Sequence, residues 1–149
     1  MSEGGVGAQP AMPAVLHRIL LTMAIGLAVV FGVLAAIGVA PLLPREDTRG
    51  ADLVAYVFAA IQVVMLVVAV AVLVPRVPRR RPGQSVEVYW ADTDSGPRLL
   101  MLWFLCESAA TLGLVAFLLF GHPAPAIASV IAIVALVMLS PRRFVQASA

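Results

Sequence analysis

Four apolar runs decide what this chain can become. They cover residues 19–43, 53–74, 99–120 and 124–139, about 25, 22, 22 and 16 residues in length. A helix rises 1.5 Å per residue, so about 20 residues cross a hydrocarbon core of roughly 30 Å; the fourth run stands at the short limit. Inside a bilayer the backbone amides find no water and must bond within their own segment, which predicts a helix for every run. The fold class is therefore all-α, an integral membrane four-helix bundle forming a single membrane domain. Its spans are expected at about 16–43, 53–75, 98–120 and 124–140, with a basic connection at 76–97.

Prolines mark the fourth span. Pro125 suits the first turn of a helix, where its missing N–H removes no bond, and Pro123 and Pro141 bracket the run. The first run is too long for the apolar region of a signal peptide and lacks a small-x-small cleavage site, so it is expected to be retained.

Only 12% of residues are charged, against about 25% in soluble domains, so the lipid bilayer is the expected solvent and partner. The formal charge of +2 is too small to suggest nucleic acid. All ten basic residues are Arg, a usage that fits a GC-rich genome and hence a bacterial inner (cell) membrane. Their positions set the topology. Arg18, the cluster Arg76, Arg79, Arg80, Arg81 with Arg98, and the tail pair Arg142 and Arg143 all fall on one side. Arg45 and Arg49 fall on the other, offset by Glu46, Asp47 and Asp52. Arg-rich segments stay cytoplasmic, so both termini are expected inside.

The connection begins PRVPRRRPG, basic and proline-rich, which excludes a helix there and suits the headgroup surface. In the following stretch Val86, Val88 and Trp90 alternate with other positions, as in a short strand or an interfacial aromatic anchor. Asp92, Asp94 and Gly96 imitate the start of a calcium loop, but the later ligands are missing and a turn is expected.

Between helices in lipid, small residues allow close backbone approach. Ala24, Ala28, Gly32, Ala36 and Ala40 recur every fourth position as one ridge along the first span. Ala109 with Gly113, and Ala124, Ala128 and Ala132, repeat the spacing in the third and fourth. Such ridges serve packing within the bundle or association with other copies or subunits.

Glu107 is the one carboxylate inside a span. A charge at mid-bilayer is disfavoured by roughly 2.5–3.5 kcal/mol, so an intramembrane acid points to a function. Glu107 lies about nine residues past Arg98, and Gln62 about ten past Asp52 on the opposite side, placing them at one depth, roughly 13–15 Å from either surface. A carboxyl and a carboxamide at one level on antiparallel neighbours can bond directly. With Thr111 one turn on and Ser108 beside it, Glu107 and Gln62 form a candidate polar site. Three readings stay open: a Glu107–Gln62 bond locking two helices, an ion pair from Arg18, or a reversible proton or cation site.

The run CESAATLGLV at 106–115 resembles the carboxylate helix of rotary ATPase c-type ring proteolipids, where Gly six places after the Glu, then Leu and an aliphatic residue, match Gly113, Leu114 and Val115. The resemblance implies that Glu107 carries a proton or cation, with Gln62 as helper. It covers about 15 residues, while the Gly-rich inner helix of that family is not reproduced and Glu107 falls on the third span rather than an even-numbered one.

No Ser–His–Asp set, HExxH, CxxC, P-loop or paired carboxylates are present, so no enzyme activity, metal or cofactor is expected. His17 and His122 are expected to be surface histidines. Cys106 stands alone, which rules out an internal disulfide. The expected function is a small four-span accessory or structural subunit with a buried Glu107/Gln62 contact. The alternative is a proton- or cation-binding, proteolipid-like protein in which Glu107 titrates.

Overall fold

The computed structural model describes residues 12–39, 41–42, 48–92 and 94–145. The described residues form helices and no strand. Four helices are long and apolar enough to cross a membrane. Helix α1 covers Met12–Ala36 and α2 covers Thr48–Val67, continuing as a π-helical stretch, Val68–Leu73, and a 3-10 turn, Val74–Arg76. A short α3, Val86–Ala91, leads to α4, Ser95–Phe120; α5, Pro123–Met138, and a short helix, α6, Pro141–Val145, follow.

Helix α4 is the hub, with α1, α2, α3 and α5 all packed on it. Trp103, Leu99, Leu102, Cys106, Ala109 and Ala110 form the centre of the core, joined by Leu20 and Ala24 from α1 and Ala132 and Leu136 from α5.

Local chemistry explains the boundaries. The first helix stops well before residue 43, the predicted limit, because Gly38 adopts a left-handed φ of +79°. Its N–H bonds Ala35 O and the next, Val39 N–H, bonds Leu34 O, at 3.1 and 2.9 Å, a Schellman ending that glycine permits. Gly121, at φ +65°, ends α4 in the same left-handed conformation. His122 then caps α5, its Nδ1 accepting from Ala124 N–H at 3.2 Å, and its ring meets Tyr56 edge-on at 4.6 Å. The π stretch in the second span precedes Pro75. Proline has no N–H to donate and its ring crowds the carbonyl four residues back, so the α ladder cannot run on. Val74 N–H reaches instead to Ala69 O, five residues back.

The 86–91 stretch is helical, which corrects the strand-like reading of its alternation. Ser85 caps it, accepting from Val88 N–H at 3.2 Å, and a capped turn outweighs a three-position pattern with no partner strand. Tyr89 is buried there and its hydroxyl donates to Pro78 O at 2.8 Å. Burial and nearby Asp92 push the phenol above its ordinary range. Asp92 takes the turn role: its carboxylate accepts from Asp94 N–H and from Ser95 Oγ–H, at 3.3 and 3.0 Å. In the basic cluster, Arg80 bonds Gln84 O at 2.7 Å and Val145 O at 3.2 Å, clasping α6. Arg76, Arg79 and Arg81 are exposed.

Candidate functional site

Among the described residues, three separate polar groups stand out in the spans. The most enclosed joins α2, α4 and α5. Gln62 is wholly buried; its amide nitrogen donates to Ala109 O at 2.8 Å and Ser129 Oγ at 3.2 Å, with Pro125 O at 3.4 Å. Ser129 Oγ lies 2.9 Å from the carbonyls of both Ala110 and Pro125 and shares its one proton between them. Gly113 makes room for this knot: a Cβ there would overlap Gln62 Nε2, Ser129 Oγ and the Pro125 carbonyl. Gln62 Oε1 is buried and accepts no bond from the described residues.

Glu107 stands apart. Thr111 Oγ1 donates to its Oε1 at 2.8 Å, a bond within α4. The expected Gln62–Glu107 bond is not formed. The shared depth holds, since Gln62 meets α4 at Ala109, but direction around the helix decides the contact. Successive residues turn by about 100°, so Glu107 lies roughly 200° from Ala109 and 120° from Gly113, off the face that Gln62 meets. Ser108, half-buried, joins neither group. Arg18 is exposed and forms no ion pair with Glu107. Of the four residues assembled from sequence, only Glu107 and Thr111 are brought together.

The third group was not anticipated. His17 is buried, not a surface residue. Its Nε2 lies 3.0 Å from Leu136 O; a carbonyl can only accept, so this nitrogen carries the proton. The ring meets Trp103 edge-on at 4.9 Å, and Trp103 Nε1–H donates to Leu139 O at 2.7 Å. Together they tie α1 and α4 to the last turn of α5, where Leu136 and Leu139 expose carbonyls at a helix end. No local sequence signal announces it, because the acceptor Leu136 lies 119 residues from His17.

The small-residue ridges divide. Ala109, Gly113, Ala128 and Ala132 are buried against neighbouring helices, and Ala124 is half-buried. On α1, Ala24 is buried and Ala28 half-buried, while Gly32 and Ala36 are exposed; Ala40 lies outside the described residues. No family model, curated protein or solved structure matches this chain.

Proposed function

We propose that this chain is a small multi-pass protein of the bacterial inner membrane, with both termini cytoplasmic, that serves as a structural or accessory subunit among other helices. The observation that carries the reading is the state of Glu107. It is half-buried in an apolar span and, among the described residues, bonds only its own helix, through Thr111. A carboxyl group at that depth gains from a further polar partner, and the bundle's own amide, Gln62, is committed elsewhere. A helix from a second copy or another subunit supplies one.

The second reading makes Glu107 a titrating proton or cation site, favoured by the Thr111 hydroxyl 2.8 Å away, since paired oxygens are what a cation needs. Glu107→Gln separates the two. A subunit contact survives the amide, which still donates and accepts, so the complex extracted in mild detergent keeps its size. Glu107→Leu shrinks it. Carbodiimide mass gain on the Glu107 peptide gives the other arm. Labelling that changes with pH, or is blocked by a cation, favours titration; labelling unchanged by pH favours the subunit reading. Both substitutions leaving the complex intact would remove Glu107 from assembly altogether.

A further inference from the structure

At the end of the bundle where α1 begins and α5 finishes, a groove of about 380 Å³ opens between them. Arg18 and Arg142 stand on its walls with Ser140, above Leu21 and Val137, and buried His17 forms part of the lining. Neither arginine side chain has a hydrogen-bonded or acidic partner among the described residues, although Arg80 and Arg98 in the same molecule are both held. Two unpaired guanidinium groups at the mouth of an apolar cleft, between two spans and level with the helix ends, form a two-part surface.

We propose that this groove holds one anionic phospholipid. Its phosphate sits between Arg18 and Arg142, with Ser140 Oγ as a further donor, and one acyl chain runs over Leu21 and Val137. Guanidinium forks match phosphate oxygens in two-point contacts; a zwitterionic headgroup offers the same oxygens, but its own cation offsets their charge and opposes the two arginines. A plain topology signal requires charge near the membrane and no cleft; here the charge and the cleft coincide. Arg79 and Arg81, exposed on the connection outside this groove, attract the same lipids without a site and serve as the internal control.

The test uses the full chain in detergent, titrated with phosphatidylglycerol or phosphatidylcholine and read by native mass spectrometry as bound-lipid occupancy. Wild type is expected to retain one phosphatidylglycerol at markedly lower concentration than phosphatidylcholine. Arg18→Gln with Arg142→Gln should weaken phosphatidylglycerol roughly 20–30-fold, since each surface charge is worth about fivefold. Arg79→Gln with Arg81→Gln should leave that first lipid in place. The double lysine variant, Arg18→Lys with Arg142→Lys, keeps charge but loses the fork; an intermediate loss supports the site and guards against a glutamine variant that misfolds. Equal retention of both lipids by wild type, equal loss in the two glutamine pairs, or complete displacement by inorganic phosphate would overturn the proposal, the last by assigning the groove to free phosphate.

Discussion

Helices α1 and α4 carry the same packing device and use it differently. Both place small residues four apart, yet eleven residues of α4 are buried against three of α1. Gly113 faces a knot of side chains that fills the space beside it, while a Cβ on Gly32 would meet nothing within 4 Å. The difference lies in what stands opposite. Gln62 and Ser129 reach from α2 and α5 to carbonyls of α4, and their hydrogen bonds hold those helices at the distance that small residues permit. On α1 the only such tie among the described residues is His17, near one end, and burial stops at Ala24, two turns further on. A small-residue ridge is thus an opportunity for contact, which a polar side chain on the neighbour converts into one.

Substitution at the two glycines is the most direct way to break this comparison. Gly113→Val inserts a branched side chain into the Gln62–Ser129 knot, and overpacking of this kind destabilises by about 1–3 kcal/mol or more. A strongly lowered unfolding midpoint in detergent, or loss of folded protein, is expected; an unchanged midpoint would show that the knot is loose. Next in size is Gln62→Leu, which removes the donor and leaves the Ala109 and Ser129 groups short of a partner. In-membrane bonds of this type average about 0.6 kcal/mol and reach about 1.7, so a loss of about 1–2 kcal/mol is expected in the same measurement. Restoration by Gln62→Asn is excluded by the shorter reach. Smallest is Gly32→Val, expected within about 0.5 kcal/mol of wild type for the isolated chain. Its value lies in a second readout: a smaller complex in mild detergent, with the midpoint unchanged, would place a partner helix on the outer part of α1.

The four long helices were legible because hydrophobic length is a one-dimensional signal that needs no tertiary information. Depth was legible for the same reason, as a sum of rises, and it brought Gln62 to the correct level on α4. Rotation was harder to read. An error of two residues along the helix shifts depth by only about 3 Å but direction by about 200°, and that separates Ala109, which Gln62 does touch, from Glu107. The early end of α1 had a visible cause in Gly38, hidden because glycine also belongs to the small-residue ridge vocabulary of membrane helices. The α3 turn lay behind a misleading alternation, although Ser85 three residues before Val88 is an N-cap spacing. His17 gave no local sign, since its partner Leu136 lies 119 residues away.

The widened turn at Val68–Leu73 carries a consequence for chain length. A π turn holds about one residue more than an α turn, so the second span behaves as a helix that absorbed a single-residue insertion where it arose. Had the extra residue been passed along a regular α ladder, everything beyond it would be turned by roughly 100°. Val77 would then swing away from the core position it occupies, and the Arg76 carbonyl would leave the Arg98 guanidinium that now holds it at 2.8 Å. The widened turn thus keeps the register on both sides of it, and a deletion between Ala55 and Gln62 would carry the amide off the α4 face.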